Sequence, residues 1–139
     1  VAVWPEGEVG AALPFLHYSP RTLMGRQIAA HLAREGAAPA HRFEIDSYPA
    51  ILAMVAARQG WSILTPSGVH HGARAGVTLA PLPVAPLARK IVLSARAGTM
   101  ADLPARVASR LRDLLAARIV APALAEAPWL EGALRVEGL

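Results

Sequence analysis

Hydroxyl side chains stand one or two residues ahead of a proline at three junctions in the first half of this chain, and an arginine follows the first of them. The junctions read LPFLHY-Ser19-Pro20, RFEID-Ser47-Tyr48-Pro49 and WSIL-Thr65-Pro66. Each ends an apolar, strand-like run. Ser or Thr ahead of a helix accepts hydrogen bonds from its unpaired backbone N–H groups, and Pro suits the first turn because its missing N–H is no loss there. If the three runs are parallel strands, three helix N-termini converge on one sheet edge, bringing N–H donors, hydroxyls and partial positive charge. That chemistry suits a small, often anionic ligand, which α/β proteins hold at the carboxyl ends of their strands. Ser19, Arg21, Thr22, Ser47 and Thr65 are therefore the candidate ligand contacts, with Arg21 as counter-charge for a carboxylate. The competing reading is that these hydroxyls only cap helices and are already occupied.

Catalytic readings carry less. Ser19 and Ser47 lie outside any G-x-S-x-G elbow and have no ordered acid partner, and the chain has no glycine-rich phosphate loop. Glu44 and Asp46 are not read as an acid/base pair. His70 and His71 are adjacent and point apart on a loop; with no cysteine and no third histidine nearby, a metal site is not expected. His17 ends a strand close to the candidate edge, whereas His31 and His41 read as surface residues. The expectation is a binding domain rather than an enzyme, with no catalytic residue, no cofactor and no metal.

The elements that must position these residues follow from periodicity. Residues 13–18 read as a buried strand, and a helix capped by Ser19 runs from 20 to about 35, with Leu23, Met24, Ile28 and Leu32 as its apolar stripe. Gly36 stops it. A second strand spans 42–46. A second helix runs from about 49 to 59, with Ile51, Leu52, Met54 and Val55 inward, and Gly60 ends it. Residues 61–64 form a third strand. This order predicts a parallel sheet with right-handed crossovers and helices on both faces. Beyond Thr65, SGVHHGARAG reads as loop or a short helical turn, VTLAPL as a strand, PVAPLARK as a connector, and KIVLSAR (90–96) as another strand. An amphipathic helix begins near 102–104, with Leu103, Val107, Leu111, Leu114 and Leu115 on one face. From Pro122 onward the chain reads as short and irregular.

Composition bounds the rest. At 139 residues, 54% hydrophobic and 17% charged, the chain is globular, with room for one domain or parts of two small lobes. The longest uncharged stretch, 75–88, is broken by Pro81, Pro83 and Pro86 and falls short of the roughly 20 residues that a bilayer requires. No secretory signal is visible in VAVWPEGEVG. The net charge of +4 comes from scattered arginines, without a Lys/Arg run interleaved with aromatics. That is a solvated surface, not a nucleic-acid stripe.

Taken in order, these segments resemble the effector-binding domain of LysR-type transcriptional regulators. PFLHYSPRTLMGRQIAAHL is similar to the strand and first helix of that family's second lobe. RFEIDSYPAILAMVAARQGWSILTP resembles its most recognisable stretch: an acidic-Ser turn, an apolar helix, a glycine, then a strand ending in proline. LAPLPVAPLARKIVLSARAG looks like the return to the first lobe, and ADLPARVASRLRDLL like the closing helix. The likeness extends from Leu13 to about Leu115. Solute-binding proteins of transport systems share the fold and remain the alternative; Gly60 with Pro66 favours the LysR pattern.

The resemblance implies a periplasmic-binding-protein-like (type 2) α/β lobe with a parallel-rich sheet, plus the return strand and helix of an incomplete first lobe. Residues 1–12 would be a leading segment from lobe one, 13–85 the second lobe, and 86–139 the return strand, closing helix and tail. The chain starts at valine and shows none of the family's helix-turn-helix, so only the C-terminal part of a regulator is expected. A small-molecule effector would sit in an interlobe cleft against Tyr18, Ser19, Arg21, Ser47 and Thr65. The resemblance further implies a cytoplasmic setting and a homodimer or tetramer built through effector domains. Neither direct DNA contact nor a membrane is expected for this segment.

Overall fold

The computed structural model describes residues 1–70 and 75–137, without the side chains of residues 41 and 42. The chain divides into two compact units, Val1–Leu87 and Ala88–Leu139.

The first unit holds strands β1 (Ala2–Pro5), β2 (Phe15–Tyr18), β3 (His41–Ile45), β4 (Ser62–Ile63) and β5 (Val77–Ala80), with helices α1 (Leu23–Arg34), α2 (Tyr48–Ala56) and α3 (Pro66–His70). β2 pairs with β3 in parallel, and β1 pairs antiparallel with both β4 and β5. A parallel bridge between Phe15 and Trp61 joins the two sheets: Leu16 N–H donates to Trp61 O at 2.8 Å, and Trp61 N–H to Pro14 O at 3.1 Å. The resulting order is β3-β2-β4-β1-β5. The three strand runs expected to be parallel are parallel. The sheet as a whole is mixed, because β1 inserts antiparallel between β4 and β5. Residues 1–12, read as a leading segment, contain β1, every residue of which is buried. An unbroken apolar run is what a strand covered on both faces requires.

Helices cover both faces. Phe15 and His17 of β2 line a groove with Ala29, Leu32 and Ala33 of α1, whereas Tyr18, on the opposite side of the strand, meets the Tyr48 ring of α2 at 5.0 Å. α2 also packs on β1 and β5.

The first capped junction differs from its reading. α1 begins at Leu23 and its cap is Thr22, because a turn closed by Thr22 N–H donating to Ser19 O comes first. The buried stripe is Gly25, Ile28, His31 and Leu32, while Leu23 is 60% exposed. His31, read as a surface residue, is a core residue. At α2 the cap is Ser47, as expected, but the helix stops at Ala56 rather than near 59. Arg58, at φ 59°, takes the left-handed position that ends it, with Gln59 N–H donating to Met54 O at 2.9 Å. Gly60 serves another purpose: a Cβ there would stand 2.4 Å from Pro14 O.

In the second unit, α4 (Leu103–Leu115) starts where the sequence places it, and Leu103, Val107, Leu111 and Leu115 are exposed. Two readings fail here. Residues 90–96 form no strand, and Ile91, Val92 and Leu93 are exposed. A strand satisfies its backbone only beside another, and among the described residues none pairs with this run. The segment from Pro122 is not irregular either. A wide π turn, Ala116–Val120, leads into α5 (Ala121–Glu126) and a 3-10 turn at Pro128–Leu130. Pro122 offers no N–H and crowds the carbonyl four residues back; the wide turn just ahead of it accommodates both effects. Lys90, hydrogen-bonded to Glu137, holds that carboxyl below its ordinary range.

Candidate functional site

The carboxyl ends of β2, β3 and β4 meet at one edge of the first unit, and hydrogen bonds between the strand ends tie them together. Ser19 N–H donates to Ile45 O at 2.8 Å, and Tyr18 Oη–H to Asp46 O at 3.3 Å, linking β2 to β3. The Tyr48 hydroxyl lies 3.2 Å from Thr65 Oγ1, linking the start of α2 to the end of β4. Thr65 Oγ1 lies a further 3.2 Å from Ser67 Oγ and accepts from Gly68 N–H at 3.2 Å. Tyr18, Ser19, Ser47 and Thr65 therefore share one connected edge. Tyr48 and Ser67 belong to it too. Tyr48 lay inside the Ser47-Tyr48-Pro49 junction, but nothing in spacing alone shows that its ring spans two strand ends.

The hydroxyls are committed to different degrees. Thr22 Oγ1 donates to Ser19 O at 2.8 Å and accepts from Gly25 N–H at 3.0 Å, so its proton is spent within the fold. Ser19 Oγ is buried and accepts from Arg21 N–H at 3.3 Å; Ser47 Oγ accepts from Ala50 N–H at 3.4 Å. Capping thus accounts fully for Thr22, whereas the O–H of Ser19 and of Ser47 has no acceptor among the described residues. Replacing Thr22 by alanine is expected to cost about 1 kcal/mol, and Ser19→Ala less, because Thr22 is the cap of α1. Urea melts of the two variants check the order.

Two guanidiniums stand at the β2 end of this edge. Arg21 is exposed, and Arg26 stands beside it, its Nη1 donating to Arg21 O at 3.1 Å and Pro20 O at 3.4 Å. Arg26 was not among the sequence candidates; one helical turn past Thr22, it returns to the same corner. No carboxylate forms a salt bridge with either guanidinium among the described residues.

Gly25 sets the closeness of the corner. An added Cβ would fall 2.0 Å from Ser19 O and 2.3 Å from Tyr18 O, so the first turn of α1 lies directly on the end of β2. Gly68 plays the same part opposite the Tyr48 ring.

The remaining candidates fall elsewhere. Glu44 lies opposite His17 in register, and Asp46 lies past the end of β3, so no acid/base pair is assembled. His17 Nδ1 lies 2.6 Å from Tyr18 O. His70 ends α3, while His71 and the His41 side chain lie outside the described residues. Among the described residues no cluster of three metal-ligating side chains occurs, and no helix is long and apolar enough to cross a membrane.

A family model for the LysR substrate binding domain matches residues 8–126, most of the chain. The chain belongs to that family. No curated protein and no solved structure matches it. The LysR assignment gives the domain an effector-sensing role within transcriptional regulation. The matched range begins after β1 and runs through the end of α5, so it takes in most of both units.

Proposed function

We propose that this LysR substrate-binding domain senses a small organic anion at the edge where β2, β3 and β4 end. Ser19 and Ser47 donate from O–H groups that have no acceptor among the described residues. Tyr18 and Thr65 shape the edge, Thr22 holds the turn that carries Arg21, and Arg21 supplies the counter-charge with Arg26 beside it. The observation that carries this reading is the bridging of three strand ends through Tyr18, Tyr48 and Thr65 next to two guanidiniums that form no salt bridge with a carboxylate among the described residues. A charge-assisted hydrogen bond contributes about 1.5–3 kcal/mol, so Arg21→Ala is expected to weaken effector binding about ten- to a hundredfold. Calorimetry in the full regulator is the test. An unchanged dissociation constant removes Arg21 from the site.

In this reading the first unit is the second lobe of a type 2 periplasmic-binding-protein-like fold. The second unit is the return and closing helix of a first lobe, with the effector held in the cleft between lobes in a cytoplasmic regulator. The family match favours this over a solute-binding protein serving a transporter. The exposed apolar face of α4 and the exposed run Ile91–Leu93 need cover, which a second copy supplies in a dimer or tetramer. Sedimentation at micromolar concentration is expected to show a species heavier than the 14.6 kDa monomer. A well-folded, purely monomeric chain refutes the assembly.

A further inference from the structure

His31 is the buried titratable side chain of α1, only 5% exposed, and the effector edge makes no use of it. Its Nε2 lies 2.7 Å from Ala85 O, a contact that spans 54 positions of sequence. Ala85 belongs to the stretch after β5 that carries Pro81, Pro83 and Pro86 and runs up to the division between the two units at Leu87. Leu82, Val84 and Leu87 of that stretch lie half-buried against the core, but no regular secondary structure holds it. Its prolines remove the N–H groups that would otherwise tie it down. The short contact from His31 therefore supplies a directional bond where apolar packing alone has none.

We infer that His31 is a positioning residue: it clamps the connector 81–87 to α1 and so fixes how the chain leaves the first unit. A carbonyl oxygen only accepts, so the clamp requires the proton on Nε2. The same helix presents Thr22 and Gly25 to the proposed edge at one end and His31 to the connector further along. A shift of α1 at the edge is thereby passed to the connector. That last step rests on the proposed sensing role; the clamp does not.

The test separates the two. Nitrogen-15 NMR of imidazole in the 139-residue chain is expected to show His31 protonated at Nε2; a bare Nε2 overturns the clamp without any substitution. Backbone relaxation then compares His31→Phe, which keeps a ring but loses the donor, with His31→Gln, which keeps a donor. Order parameters at Val84, Ala85 and Leu87 are expected to fall from about 0.85 to below about 0.6 in the phenylalanine variant and to stay high in the glutamine variant. Amides of β2 and β4 serve as the reference for global stability. A connector that stays as rigid in the phenylalanine variant as in the parent overturns the proposal. In the full regulator, coupling is read as a change in connector relaxation when effector is added. If the clamp holds but effector leaves the connector unchanged, the sensing reading of α1 fails alone.

Discussion

Substituting alanine for Gly25 is expected to be among the most damaging single changes in the first unit, although helix propensity alone predicts the reverse. In an open helix, Gly→Ala stabilises by about 1 kcal/mol. Here the new methyl would sit 2.0 Å from Ser19 O and 2.3 Å from Tyr18 O, both backbone atoms at the end of β2. A flexible side chain can swing aside, but these carbonyls cannot move without the turn at Ser19 and the cap at Thr22. Overpacking costs about 1–3 kcal/mol and more against backbone that cannot swing aside, so even after the gain of about 1 kcal/mol in helix propensity a net loss of about 2 kcal/mol is expected. For a chain of this length that lowers the melting temperature by about 10 °C. Gly36→Ala is the control. It carries φ +66° but has nothing within 4 Å of the added atom, so only the left-handed backbone penalty of about 1–2 kcal/mol applies. Thermal melts should rank Gly25→Ala well below Gly36→Ala. If the two variants melt together, close approach is not what holds glycine at position 25. The same substitution should loosen the Ser19–Arg21 turn, and weaker effector binding should accompany the lost stability.

Most of the first unit's plan was legible because its signals are local. Hydrophobic runs of strand length, Gly-stopped helices and Ser47 ahead of Pro49 place β2, β3, the 61–64 strand, α1 and α2 in order, and parallel pairing follows from crossover length. What local signals do not give is a choice between two adjacent hydroxyl residues. Ser19 and Thr22 both suit a cap, and the turn that hands the role to Thr22 is decided by the contact of Gly25 with the end of β2. His31 shows the same limit: a histidine on a helix reads as a surface residue until a partner 54 positions away accepts its hydrogen bond. β1 was missed as a member of the sheet because its neighbours, β4 and β5, come some 60 and 75 residues later. The 90–96 run erred the other way: its residues have strand character, but strand character needs a partner strand.

Trp61→Ala is the second large expected effect, because Trp61 does two things at once. Its backbone forms the bridge between the two sheets, donating to Pro14 O and accepting from Leu16 N–H. Its ring stacks on Trp4 of β1, with centroids 4.6 Å apart and planes 6° from parallel, and tilts against Phe15 of β2 at 4.8 Å. One side chain therefore joins the antiparallel and parallel halves of the sheet. Removing a buried Trp costs about 3–5 kcal/mol, a large fraction of the 5–15 kcal/mol typical of a domain. Trp61→Phe should cost much less, since it keeps an aromatic between Trp4 and Phe15. Urea titrations at equal m-value report both differences. A double-mutant cycle between Trp4→Leu and Trp61→Leu isolates the stack itself, with an expected coupling of about 0.5–1.5 kcal/mol beyond area burial. If the coupling is zero while Trp61→Ala still unfolds the unit, burial of Trp61 holds the sheet and the stacking geometry adds nothing. If Trp61→Ala melts within about 1 kcal/mol of the parent, the bridge of backbone hydrogen bonds carries the junction, and β1 is held by its pairing with β4 and β5 alone.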